Sequence, residues 1–246
     1  MYSRNRPSPR YRQLLNQYKL LHSQGAYRRT KDGVVEFSAR DTFSGRGVIR
    51  HVASIKKLAD ATTSASILDF GSGKGAQYAE DLQTKEGELI ASSLHEYWNV
   101  SEITCYDPGV RDDPQALARR YDGVIATNVL DHIPEEDLPW IVDQLFSRAN
   151  KFVYANMSAH AANAWLPNGE NARVTRQPAE WWVDLFRSVA HYYPDIRFCL
   201  AFSKRQKDRQ GNAETALTHF HTCPDLELPS SFYLGYLPET EERPEG

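Results

Sequence analysis

An apolar run that breaks into three glycines spaced one residue apart constrains this chain more than any other stretch: Ile67-Leu68-Asp69-Phe70-Gly71-Ser72-Gly73-Lys74-Gly75-Ala76. The pattern predicts a short strand, a sharp turn and then a helix over Ala76-Gln77-Tyr78-Ala79-Glu80-Asp81-Leu82. In such a unit glycines permit the turn and let a ligand approach where a Cβ would collide. Amides at the helix start then face an anionic or electron-rich group, which makes an adenosine-containing ligand the first expectation. A tight turn with no ligand would need one glycine, not three. Gly71-x-Gly73-x-x-Ala76 also satisfies the dinucleotide fingerprint. That fingerprint, however, expects a ribose-binding acid about 20 residues beyond the glycines. The next strand-end acid here is Asp107, and Asp69 stands inside the strand, two residues before the first glycine.

The 246 residues suffice for one large α/β domain or two small ones with a sizeable core. A formal charge of −3 gives no global pull toward nucleic acid or an anionic membrane. Cys105, Cys199 and Cys223 are odd in number and widely spaced, which argues against a disulfide scaffold or zinc ribbon and fits a reducing, cytoplasmic setting. No run approaches the length of a membrane span, and the N-terminus has no apolar signal core.

Residues 1–10 are rich in Arg and Pro and are expected to form a mobile tail. Tyr11, Leu14, Leu15, Tyr18, Leu21 and His22 recur at helical spacing, predicting a helix over 10–23 that ends near Gly25 and carries Tyr18 and His22 on one face. The positive bias of this region reads first as a solvated face, and no aromatic interleaving supports a nucleic-acid surface. Phe43 to Gly47 reads as a loop, and 47–60 as a second helix. Later strands are expected at Ile103–Tyr106, ending in Asp107-Pro108-Gly109, at Val124–Thr127, and at Lys151–Asn156. Helices are expected after Pro134, with Leu138, Ile141, Val142, Leu145 and Phe146 as the buried stripe, and after Pro178. Ile196–Phe202 and Leu217–Thr222 read as a closing antiparallel hairpin.

The order Leu68-Asp69-Phe70-Gly71-Ser72-Gly73-Lys74-Gly75, then Asp107 at a strand tip, then Val124-Ile125-Ala126-Thr127-Asn128-Val129-Leu130-Asp131-His132-Ile133 resembles the class I S-adenosylmethionine (SAM) methyltransferases over about residues 45–225. The resemblance implies an α/β fold, a Rossmann-like and mostly parallel sheet with helices on both faces and an antiparallel last strand. Only residues 110–120 separate the second and fourth strand motifs, so the third strand is expected to be missing. It implies a helical cap over 11–62, a SAM-binding domain over 63–236 and an acidic tail over 237–246.

SAM is the implied cofactor, held by Asp69, Gly71, Ser72, Gly73, Asp107, Asn128 and Val129, with Asp107 on the ribose hydroxyls because a carboxylate offers two acceptor oxygens to a diol. His22, His132, Asp131 and Tyr18 are the candidates for catalysis. The long polar excursion 163–175 and the segment after it offer Glu170, Asn171, Arg173 and Trp181 as acceptor-binding candidates, with a structural loop the competing reading. No tight Asp/Glu/His cluster argues for a metal. The segments Leu166-Pro167-Asn168-Gly169-Glu170-Asn171 and Glu180-Trp181-Trp182 look most like bacterial small-molecule methyltransferases. A small-molecule acceptor, methylated on a hydroxyl of a metabolite or glycan precursor, is therefore expected; nucleic-acid modification and SAM binding without catalysis are the rivals.

Overall fold

The computed structural model describes residues 2–30, 33–84, 87–162, 164–207 and 213–229; the acidic tail expected over 237–246 lies outside them. Pro9–Gln24 forms α1, closed by the Gly25 amide on the Leu21 carbonyl at 2.9 Å. Ala26–Thr30 (β1) and Gly33–Phe37 (β2) then pair as an antiparallel ribbon. That ribbon is absent from the sequence reading, which saw only a basic stretch there. A 3₁₀ turn over Arg46–His51 leads into α2, Val52–Ala61, in place of one continuous helix over 47–60.

The apolar runs become a six-stranded sheet. Its members are β3 (Ser66–Phe70), β6 (Glu102–Tyr106), β7 (Tyr121–Thr127), β8 (Ala149–Ser158), β9 (Arg197–Lys207) and β10 (Ala213–His221), in the spatial order β10-β9-β8-β7-β3-β6. All neighbours are parallel except β10, which runs antiparallel to β9. The expected missing third strand shows directly: residues 114–117 form one 3₁₀ turn, and among the described residues β6 is the sheet edge. Between β3 and β6 lie a short ribbon, β4 (Leu82–Gln83) with β5 (Leu89–Ala91), and α3 (Leu94–Trp98).

Both sheet faces are covered, so the central strands are apolar on each side. Leu68, Val124, Ala126, Val153 and Ala155 pack with Ile141 and Phe146 of α4 (Leu138–Arg148) and with Trp182 and Phe186 of α5 (Ala179–Ala190). Ile67, Ile125, Phe152 and Tyr154 face Ile55 and Leu58 of α2 and Trp98 of α3. Each buried Leu, Ile, Val or Phe among them contributes about 1.5–3 kcal/mol. Among the described residues no helix is long and apolar enough to cross a membrane.

Two expectations need correction. The helix foreseen over 76–82 is a single 3₁₀ turn, Ala76–Ala79. Its first amide already donates to the Ser44 carbonyl, and the Tyr78 hydroxyl is drawn inward to donate to Asp69 Oδ2 at 2.8 Å. The mobile tail over 1–10 is also not what the structure shows. Ser8 is fully buried; its Oγ caps α1 at the Tyr11 amide (2.9 Å) and its own amide donates to Asp137 Oδ1 at 3.0 Å. Arg10 pairs with Glu170, and Arg4 with Asp112 at 3.6 Å.

Removing residues 1–10 is therefore expected to lower the melting temperature. The lost cap costs about 1 kcal/mol, and the lost donor to the buried Asp137 carboxylate about 1–3 kcal/mol. At roughly 2–4 °C per kcal/mol for a chain of this size, the drop should be about 4–16 °C. An unchanged melting curve would show that these contacts carry no stability.

Candidate active site

The carboxyl ends of the parallel strands open into one cavity of about 600 Å³, where ligands of open α/β sheets bind. The ends of β3, β7 and β8 and the loops after β3, β6, β7 and β8 form its floor, and α1 contributes Tyr11, Leu14, Tyr18 and His22 as a roof.

The glycine turn forms one end. Gly71, Gly73 and Gly75 have φ of 79°, 59° and 65°, the left-handed region that glycine alone enters without strain. A Cβ on Gly73 would lie 2.2 Å from the Phe43 carbonyl oxygen, and one on Gly71 2.3 Å from Val129. The glycines thus admit the protein's own chain, not only a ligand. Every amide from 71 to 76 has a protein acceptor as well. Gly71 and Ser72 donate to the Tyr106 carbonyl, Gly73 to Asp107 Oδ2, Lys74 to the Phe43 carbonyl, Gly75 to the Ser72 carbonyl and Ala76 to the Ser44 carbonyl. The expectation that amides at a helix start face the ligand is corrected accordingly: these amides are engaged by acceptors within the protein.

Asp107 accepts the Gly73 amide on Oδ2 and the Gly109 amide on Oδ1, both at 2.8 Å, tying the β3 turn to the tip of β6. A carboxylate has about four lone-pair sites, so each oxygen keeps capacity toward the cavity. Asp69 is 1 % exposed. Its Oδ2 accepts the Tyr78 hydroxyl, while Oδ1 is buried with no hydrogen-bond partner among the described residues. Burial, helped by the charge of Asp107 and opposed by the Tyr78 hydrogen bond, pushes its pKa up to about 7. Asn128 sits at φ 57°, its amide donating to Asn156 Oδ1 at 2.8 Å.

The other end is built on β7 and the excursion. Tyr18 OH donates to the Ala172 carbonyl at 2.8 Å and lies 2.9 Å from His132 Nδ1. A carbonyl can only accept and the phenol has one proton, so His132 Nδ1–H donates to Tyr18 and Nε2 keeps its lone pair. Burial, only partly opposed by Asp131, lowers the His132 pKa and favours this neutral form. Burial also holds the Tyr18 phenol protonated far beyond its ordinary range. Behind them Asp131, fully buried, lies 3.6 Å from His132 Nε2 and pairs with Arg173 Nε at 2.6 Å.

All seven residues expected at the cofactor, Asp69, Gly71, Ser72, Gly73, Asp107, Asn128 and Val129, reach the cavity wall, as do Tyr18, His22, His132 and Arg173. Asp131 stands behind the wall. Glu170, Asn171 and Trp181 are not brought to it. Glu170 pairs with Arg10 at the start of α1, and Asn171 bonds the Ala162 backbone through both amide atoms. Trp181 packs edge-on to Trp182. Unforeseen wall residues include Arg50, Ser158 and His160. Ser158 and His160 lie just past the strand expected to end at Asn156, which is their only sequence signal; Arg50 had none. Among the described residues no group of three His, Cys, Asp or Glu side chains is placed to hold a metal ion.

A family model described as a methyltransferase domain matches residues 32–205, which spans β2 through most of β9 and therefore the whole glycine turn, Asp107 and the His132 cluster. The chain belongs to this methyltransferase family. No curated protein matches the sequence. Among solved structures, the 1,6-didemethyltoxoflavin-N1-methyltransferase of Burkholderia thailandensis, with 1,6-didemethyltoxoflavin and S-adenosylhomocysteine bound, aligns at 12% identity and a TM-score of 0.46. That alignment covers 87% of this chain and 90% of the other.

The methyl donor of this methyltransferase is SAM. The wall residues suit it: Asp69 Oδ1, with no hydrogen-bond partner among the described residues, offers negative charge to a cationic ligand group, and Asp107 offers acceptor oxygens to hydroxyls. Because the Asp69 pKa is raised to about 7, its carboxylate is protonated below that pH and cannot answer a cation. SAM affinity should therefore weaken as pH falls through about 7. Calorimetry at about pH 7.5 and about pH 5.5, both below the ordinary α-amino pKa, should show tighter binding at the higher pH. Asp69→Asn should bind weakly at both; equal wild-type affinities would remove Asp69 from the contact.

Proposed function

We propose that this methyltransferase transfers a methyl group from SAM to a hydroxyl of a small molecule, a metabolite or glycan precursor, with His132 Nε2 accepting the hydroxyl proton. The observation that carries this reading is the shared chamber. The glycine turn and the His132–Tyr18 pair face one cavity of about 600 Å³, within the usual range for small-molecule sites, and α1 lies across it.

When bound, SAM supplies a methyl on a positively charged sulfur, electrophilic without further activation. The chain's contribution is position and proton handling. Tyr18, fixed on the Ala172 carbonyl, holds the His132 ring through Nδ1 and so leaves Nε2 as the base. Once Nε2 carries a proton, the Asp131 carboxylate at 3.6 Å favours the imidazolium, while Arg173 at 2.6 Å keeps that carboxylate in place. The α1 roof limits solvent around the reacting atoms.

The test is label transfer from methyl-tritiated SAM into a panel of hydroxyl-bearing metabolites, sugars and nucleic acids. The expected result is label in an alkali-stable small-molecule ether. Label in RNA or DNA, or SAM binding with no transfer to any acceptor, would overturn it.

A further inference from the structure

Apolar side chains of the cavity wall gather around the Tyr18–His132 pair. Leu14, Tyr18, Phe43, Ala162 and Ala164 belong to one hydrophobic cluster, and all five line the cavity. Phe43 is held there under strain. Its φ of 47° lies in the left-handed region, which a bulky side chain rarely enters, and its carbonyl accepts the Lys74 amide at 3.1 Å. Its ring meets Tyr18 edge-on at 5.7 Å between centroids, and Tyr18 in turn meets His132 at 5.9 Å. On the excursion, Asn171 bonds both the amide (2.9 Å) and the carbonyl (2.8 Å) of Ala162, so the backbone behind this alanine is fixed. The charged groups beside His132, Asp131 and Arg173, pair with each other at 2.6 Å.

We infer that the acceptor hydroxyl is a phenol on a flat apolar ring, not the hydroxyl of a sugar or an alkyl alcohol. Two arguments meet here. A sugar carries hydroxyls on every side, and each one loses water on entering. The side chains of Leu14, Phe43, Ala162 and Ala164 return no hydrogen bonds, whereas they favour an aromatic ring through burial and through edge contacts to Phe43 and Tyr18. The second argument is proton affinity. An alcohol holds its proton about as water does, near 15.7, and a phenol near 10, as tyrosine does. Burial, only partly opposed by Asp131 and reinforced by the Arg173 charge, makes His132 a weaker base than an ordinary imidazole. Such a base takes a phenolic proton far more readily than an alcoholic one. The step balances. The phenolic proton passes to His132 Nε2 and from there to water. The phenolic oxygen forms the new bond to the methyl carbon as the carbon–sulfur bond breaks, and that electron pair stays on sulfur, leaving neutral S-adenosylhomocysteine.

The inference rests on the hydroxyl-methylation reading above and narrows it. Three probes separate the alternatives: para-phenylphenol, para-phenylcyclohexanol, which differs in the ring that bears the hydroxyl, and methyl glucoside. Calorimetry on protein saturated with S-adenosylhomocysteine should show the phenol binding about tenfold or more tightly than the glucoside. With methyl-tritiated SAM, the phenol should be labelled about 10²-fold or more faster than the cyclohexanol. Ala162→Leu, which fills the apolar rim from a fixed backbone, should weaken the phenol by about tenfold or more while S-adenosylhomocysteine affinity stays at the wild-type value. Transfer to the cyclohexanol or the glucoside at the rate of the phenol would overturn the inference and leave hydroxyl methylation standing. Transfer to none of the three would overturn the inference, and label in nucleic acid offered in parallel would remove the hydroxyl reading with it. An unchanged phenol affinity in Ala162→Leu would take the rim out of the acceptor site and overturn the inference as well.

Discussion

Replacing His132 by alanine is expected to lower turnover by about 10²-fold or more while SAM affinity stays within about twofold of wild type. The expectation follows from placement. The ring is fixed at Nδ1 by Tyr18, itself fixed on the Ala172 carbonyl, so Nε2 is the ring atom left to take a proton. His132→Gln keeps a hydrogen-bonding group of similar reach toward Tyr18 but has no basic nitrogen, and should be as slow as the alanine variant. His22 differs. It lies against Lys74, and a side chain on Gly109 would meet its ring at 3.1 Å, so His22→Ala should disturb cofactor affinity more than turnover. The pH profile supplies the sign. Burial lowers the His132 pKa from its ordinary 6.5, so the neutral base persists somewhat below that value and activity falls only as pH drops further. Full activity in both His132 variants would move the base elsewhere, with Asp131 next in line.

Asp107→Ala should weaken S-adenosylhomocysteine by about 1.5–3 kcal/mol, roughly ten- to more than a hundredfold. Two losses combine. The carboxylate vanishes from the cavity wall, and the Gly73 and Gly109 amides lose the acceptor that joins the β3 turn to β6. Asp107→Asn separates them, because its single side-chain oxygen can still accept from an amide while the charge is gone. It should fall between wild type and alanine. Unchanged affinity in both variants would remove Asp107 from the cofactor site.

The sheet was legible in the chain because its central strands are buried on both faces and leave largely apolar runs, as at Ile67–Phe70, broken only by Asp69, and at Val124–Thr127. The strand-end acid and the glycines were legible for a related reason: a charge at the end of an apolar run and repeated glycines each need a local cause. What escaped depends on partners far away in sequence. That Ser8 caps α1 could be guessed from its neighbours, but its bond to Asp137, 129 residues on, could not. Nor could the glycine turn's amides be known to engage the carbonyls of Phe43 and Ser44, since that contact is set by how the segment before α2 lies over β3. Arg50 escaped because one arginine looks like any other until the fold sets it beside the cavity. Glu170 and Asn171 misled for the opposite reason: a dense polar loop looks like a binding surface, yet its side chains hold the loop to Ala162 and to α1.

Titration calorimetry of the wild-type protein with S-adenosylhomocysteine and, separately, with NADH tests the central claim most directly. The cavity built from Asp69, the glycine turn and Asp107 should bind S-adenosylhomocysteine at one site per chain and give no heat with NADH. Saturable NADH binding with no response to S-adenosylhomocysteine would contradict the account.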